Sequence, residues 1–163
     1  MEEEVLVMSF QKAKEHLKKY QLEDRIMEFS TSSATVQEAS QAIGCREEQI
    51  AKTLSFLVEE KPILIVASGK IKIDNHKFKD EFHTKAKMIP FEQVEELIGH
   101  QVGGVCPFGV SDGVEVYLDI SLKPFDIIYP ACGSSNSAVR LTLAELEQAS
   151  CYQRWVDVAK EEQ

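Results

Sequence analysis

Lys52 is the only charge in the run IAKTLSFLV, residues 50–58. Period-two alternation along a strand places it on one face with Leu54 and Phe56. An ammonium on an apolar face is costly to bury. Such a lysine is either a functional charge or a strand-end side chain that reaches out to water. A second candidate is GGVCPFG, residues 103–109. Gly103 and Gly104 permit positive φ and close approach of backbone to a ligand. Pro107 stiffens the exit, and Phe108 can wall a pocket. Such a loop can aim N–H groups at a carbonyl or a developing oxyanion; it can equally be a plain tight turn. Cys106 is a nucleophile only if a base makes its thiolate, and His100 is the only histidine nearby in the chain. The third stretch is CGSSNSAVRL, residues 132–141. Its Gly133, Ser134, Ser135 and Asn136 can face the same pocket or simply turn the chain between strands. Asp119 at the end of VYLDI is a turn residue or a loop orienter. His16, His76 and His83 read as surface residues without a role.

The elements that must position these residues follow from local pattern. SFQKAKEHLKKY, residues 9–20, spaces Phe10, Ala13, Leu17 and Tyr20 for a helix, with Ser9 as its N-cap. RIMEFS reads as a short strand. TVQEASQAIG carries a capping box of Thr35 and Glu38 and ends on Gly44. Residues 50–58 and 62–68 predict a hairpin across a three-residue polar turn. Asp74 caps a lysine-rich helix. PFEQVEELIG predicts a helix from Pro90 to Gly99. GVEVYLDI, FDIIYPA and SAVRLT read as strands, TLAE opens a helix that runs to about Ser150, and RWVDVAK closes the chain as a strand. Strands joined by short turns, without a βαβ rhythm, predict one mixed α/β domain over residues 1–163. Its sheet is curved, barrel-like and mostly antiparallel, with helices packed outside.

Composition narrows the function classes. The chain has 163 residues, 44% hydrophobic and 28% charged, as in an ordinary globular protein. No apolar run approaches the roughly 18 residues of a membrane span. The acidic start MEEEVLVMSF is unlike a signal peptide, so a cytoplasmic location is expected. None of Cys45, Cys106, Cys132 and Cys151 forms a CxxC pair, and no metal site is expected. The net charge of −9 argues against a general nucleic-acid binder, DNA included. Yet Lys70, Lys72, Lys77, Lys79, Lys85 and Lys87 fall in one segment. They are a solvated surface or a landing site for a polyanion.

Taken in order, the lysine of IAKTLSFLV, then GGVCPFG, VYLDISL and a glycine turn before VRLTLAEL resemble the YbaK/EbsC superfamily. The resemblance covers residues from about 9 to 158. That group comprises free-standing aminoacyl-tRNA deacylases and the editing domain of bacterial prolyl-tRNA synthetase. The resemblance implies hydrolysis of the ester joining a wrong small amino acid to tRNA, commonly alanine or cysteine on tRNA for proline. It maps the family lysine to Lys52 and the family loop to Gly103, Gly104 and Pro107 through Gly109, with Val105 and Cys106 between them. It maps the later glycine turn to Gly133, with Ser134 and Asn136 beside it. It implies neither a metal, a cofactor nor an enzyme nucleophile. The fold positions the terminal adenosine and the ester, and water or the substrate's own thiol attacks. The partners it implies are the tRNA acceptor end and an aminoacyl-tRNA synthetase. Two other readings are a non-catalytic module binding tRNA ends or nucleotides on the same fold, and a hydrolase or redox protein dependent on Cys106.

Overall fold

A computed structural model describes residues 2–161, and the side chains of residues 9–161. The chain begins with α1 (Glu2–Lys18), β1 (Ile26–Glu28) and α2 (Val36–Ile43). The hairpin β2 (Ile50–Val58) and β3 (Lys61–Ser68) follows, then β4 (Ile71–Ile73), α3 (Asn75–Phe82) and α4 (Phe91–Ile98). After the 103–109 loop come β5 (Glu115–Asp119), β6 (Ile127–Pro130), β7 (Ser137–Val139) and β8 (Leu141–Thr142). The last elements are α5 (Leu143–Ser150), β9 (Trp155–Val156) and β10 (Ala159–Glu161). No helix of the described residues is long and apolar enough to cross a membrane.

The main sheet is a curled, mixed sheet in the order β8-β6-β2-β3-β5-β9. Two small sheets, β1-β7 and β4-β10, flank it. Four of the seven strand pairings are antiparallel, and β2 with β3 is the longest of them. The pairings β2–β6, β3–β5 and β5–β9 are parallel. β3 is buried on both faces. Leu64 and Val66 enter one core with Ala13 and Leu17 of α1, Ile98 of α4 and Leu146 of α5. Ile63 and Ile65 enter a second core with Phe56 and Phe78. A central strand between helix layers has no face left for polar side chains, which explains the run PILIVAS.

Local signals set most boundaries. The Thr35–Glu38 capping box forms, and Gly44 takes the left-handed turn at φ 84°. Asp74 accepts from the N–H groups of His76 and Lys77 to start α3. Thr142 and Glu145 cap α5 reciprocally. The hairpin turn has two residues rather than three, because Val58 pairs with Lys61. Glu59 and Glu60 both take positive φ, 51° and 66°, as a two-residue hairpin requires. Further expectations are corrected. Ser9 is no N-cap: α1 already runs from Glu2, and Ser9 is buried within it. RWVDVAK is two short strands in different sheets, because the Asp119 carboxylate accepts from Val158 N–H at 2.9 Å and turns the chain between them. The expected span 1–163 extends beyond the described residues at both ends.

Candidate active site

β2 pairs along one edge with β3 over most of its length, but its other edge changes partner. Ile50 and Ala51 pair with Tyr129 and Pro130 of β6. Further along, Ile89 N–H donates to Ser55 O at 3.1 Å, and Leu57 N–H donates to Lys87 O at 2.8 Å. Alternate residues of a strand direct their N–H and C=O groups to the same edge. Those of Thr53 therefore face the gap between the two partners. A cavity of about 350 Å³ lies at this gap. Thr53 and Ser55 line it from β2, Ser33 to Val36 from the start of α2, and Ser137 and Ala138 from β7. Met88, Phe91, Val102, Gly103, Val105 and Tyr129 are also part of its wall. The hydroxyl of Thr53 is one of two buried side-chain oxygens without a hydrogen-bond partner among the described residues.

Lys52 shares its face with Leu54 and Phe56, as alternation requires, and it also lines the cavity. Its half-buried ammonium donates to Gly69 O at 3.3 Å and to Ile71 O. The charge therefore ties the cavity edge to the turn between β3 and β4.

Only part of the 103–109 loop reaches the cavity. Gly103, at φ 96°, and Val105 line it. Gly104 instead lies flat on the 133–134 turn, where an added Cβ would stand 2.4 Å from Ser134 N. Its carbonyl accepts from Gly133 N–H at 2.9 Å. Pro107 is buried, and Phe108 is fully buried in the main core beside the His16 ring rather than walling the cavity. Gly109 packs on the backbone of α1 at Lys12.

Cys106 does meet His100: Sγ lies 3.6 Å from Nε2. Both are fully buried and neither lines the cavity. Burial raises the thiol pKa well above its ordinary value and holds His100 down at about 4. The imidazole is engaged on both nitrogens, with Ser9 Oγ at 2.8 Å and Phe108 O at 2.5 Å. A neutral imidazole beside a protonated, enclosed thiol is a structural contact between α1 and the loop.

This burial has a pH signature. Unfolded, His100 binds a proton near pH 6.5; folded, near 4. Its contribution to stability is full above pH 6.5, falls as the pH drops, and is lost at about pH 4. The loss amounts to about 3 kcal/mol. Urea midpoints should therefore decline from pH 7.5 to 4.5. The His100 ring should show no titration by NMR above about pH 5; a midpoint near 6.5 would contradict its burial.

The 132–137 turn is bonded within itself and to the segment before α2. Ser134 Oγ donates to Asn136 Oδ1 at 3.0 Å and contacts Ser137 Oγ at 2.5 Å. Asn136 Nδ2 donates to Phe29 O at 3.0 Å. Gly133, Ser134 and Asn136 thus set the position of Ser137, which lines the cavity. The six lysines differ in their surroundings. Lys77 bonds Asp157 and Ala159 O, Lys70 lies 3.8 Å from Glu47, and both line a second hollow of about 620 Å³. Lys72 and Lys79 are exposed. Lys85 and Lys87 are exposed on the segment that carries Met88 to the cavity. No group of three or more His, Cys, Asp or Glu able to hold a metal occurs among the described residues.

The model of the aminoacyl-tRNA editing domain matches residues 31–149, which include Lys52, the 103–109 loop and the 133–137 turn. The chain belongs to this family. An uncharacterized protein of Bacillus subtilis strain 168, YwhH, is 48% identical over 155 residues, 94% of this chain and 99% of its own. A proline–tRNA ligase of Bacillus cytotoxicus is 26% identical over 102 residues, 62% of this chain. This region spans 18% of the ligase, so the likeness concerns one segment of a longer enzyme. A solved structure of a candidate trans-editing enzyme for prolyl tRNA synthetase superposes with a TM-score of 0.84 at 29% identity. It covers 93% of this chain and 97% of its own. The editing-domain fold and the mixed curled sheet therefore agree.

Of the residues that line the cavity, the residue pattern points to Lys52 and Gly103 but not to Thr53, Met88, Phe91 or Tyr129. A hydroxyl beside the lysine in an apolar strand was the available signal for Thr53. Met88 and Phe91 carried none, because an apolar residue before or at the start of a helix reads as core.

Proposed function

We propose that this editing domain is a trans-acting deacylase that removes a small amino acid, alanine or cysteine, from mischarged tRNA for proline. The observation that carries this reading is the cavity at the parted edge of β2. It is small, largely apolar, and bordered by backbone polar groups at Thr53 and Gly103. An aminoacyl ester is an activated acyl group, so positioning it supplies much of the catalysis. Full preorganisation has a ceiling of roughly 7–11 kcal/mol.

In this account the amino-acid side chain enters between Ala34, Ala51 and Ala138. The α-ammonium donates to the carbonyl and hydroxyl of Thr53, which gives that buried hydroxyl a partner. Backbone N–H groups of Gly103 and Val105 stabilise the tetrahedral oxyanion, worth about 3–4 kcal/mol for a good donor. Lys52 holds a phosphate, ribose or carbonyl oxygen as a fixed positive charge. A water oxygen, or the thiol of a cysteinyl substrate, bonds the carbonyl carbon. The bond to the ribose oxygen breaks, and the 3′-terminal hydroxyl leaves with a proton.

Selectivity follows from volume. A pocket gains only about 1–3 kcal/mol per methylene, so a sieve that admits small side chains suits an editing step better than one that grades similar ones. The test is deacylation of tRNA charged with alanine, serine, threonine or cysteine, in the presence of chelator. Turnover of alanyl- or cysteinyl-tRNA supports the reading. Binding of these tRNAs without turnover replaces it with a non-catalytic module that holds tRNA ends.

A further inference from the structure

Four large hydrophobic side chains are exposed among the described residues: Met88 (58%), Phe91 (73%), Val102 (44%) and Ile120 (41%). Three of them, Met88, Phe91 and Val102, line the cavity at the parted edge of β2. Exposed apolar side chains gathered at a cavity mouth mark a surface that something covers. The backbone at Phe91 is anchored on both sides. Phe91 is the first residue of α4, directly after Pro90, and Ile89 N–H is bonded to Ser55 O on β2.

We infer that Phe91, with Met88 and Val102, forms a stacking platform for the terminal base of the tRNA acceptor strand. This rests on the deacylase reading of the cavity and names the group that lies outside it. An aminoacyl ester is carried on the ribose of the last nucleotide. When the acyl group fills the cavity, the base on that same ribose sits at the mouth. Aromatic faces stack on any base, which makes such platforms tolerant of sequence and selective for single strands. Charge sets the direction of the strand. Lys85 and Lys87 are exposed on the segment leading into Met88, whereas exposed Glu92, Glu95 and Glu96 follow Phe91 on α4. The phosphates preceding the terminal nucleotide therefore run along the lysine side.

The experiment uses the full chain and two uncharged RNA minihelices ending in CCA. They are identical except that one lacks the terminal base. Wild type should bind the complete minihelix about 10-fold more tightly than the one missing its base. Phe91→Ala should lose this preference, binding the complete RNA about 10-fold more weakly and the other unchanged; Phe91→Trp should restore it. Because Phe91 is exposed, the alanine variant should keep the wild-type melting temperature, and on alanyl-minihelix it should raise KM with little change in kcat. Equal weakening of both RNAs by Phe91→Ala, or no weakening of either, overturns the platform. No effect on RNA together with lost co-elution of prolyl-tRNA synthetase overturns it in favour of a protein-docking surface. The binding arm needs no turnover, so failure of the deacylase reading is seen separately.

Discussion

Lys52→Ala should lower deacylation of alanyl- or cysteinyl-tRNA by about 100-fold or more per folded molecule. In the proposed deacylase the Lys52 charge holds the substrate end at the reacting ester, and losing one such charge-assisted interaction costs about 3–4 kcal/mol. The structure adds a second consequence. The ammonium is hydrogen-bonded to the carbonyls of Gly69 and Ile71. Truncation leaves these part-buried acceptors without the lysine, and hydrogen bonds to charged groups are worth about 1.5–3 kcal/mol. The variant should therefore also unfold at lower urea. The two effects separate on measurement: circular dichroism gives the folded fraction at assay temperature, and single-turnover rates are normalised to it. A folded Lys52→Ala variant with near wild-type rates would remove Lys52 from the site and leave it as the clamp of the β3–β4 turn.

Gly104→Ala should lower activity by about 100-fold through a different route. The added Cβ would lie 2.4 Å from Ser134 N and 2.5 Å from the Gly133 carbonyl carbon, both backbone atoms. Backbone held by its own hydrogen bonds cannot yield as a side-chain tip can, so the loop and the turn must part. That breaks the Gly133 N–H bond to Gly104 O and overpacks a closed contact, at a cost of about 1–3 kcal/mol or more. It also displaces Gly103 and Val105, the residues proposed to face the ester, and a shift of about 1 Å at a reacting centre costs about 100-fold in rate. Gly113→Ala is the control. Its φ is +88°, but a Cβ there meets nothing within 4 Å. It should cost about 1–2 kcal/mol of stability for the left-handed conformation and leave the rate unchanged. Thermal melts and deacylation rates of the two variants side by side check the contrast.

The parts of this molecule that sequence foretold are those whose causes are local. The Thr35–Glu38 and Thr142–Glu145 capping boxes, the Asp74 cap and the β2–β3 hairpin each involve residues a few positions apart. What stayed hidden depends on contacts across the chain. Ser9 reads as a helix cap, but it lies within α1, where its hydroxyl bonds His100, 91 residues on. Phe108 reads as a pocket wall because a glycine loop is expected at the surface; in fact α1 covers the loop, with Gly109 against Lys12. Asn136 reads as a substrate contact, yet its amide is bonded to Phe29, 107 residues earlier. The parted edge of β2 is set by two partners distant in sequence, the 127–130 and 87–89 segments. Lys52 and Gly103, which line the cavity, were legible as candidates because a charge in an apolar strand and a paired glycine break local rules.

The account stands most directly on one comparison: release of alanine or cysteine from mischarged tRNA for proline by wild type, Lys52→Ala and Cys106→Ala in the same single-turnover assay. It predicts hydrolysis by wild type, a rate within about threefold of it for folded Cys106→Ala, and loss of hydrolysis for folded Lys52→Ala. Loss of the rate in folded Cys106→Ala while Lys52→Ala stays active would contradict it, and would return the buried thiol to the centre of the chemistry.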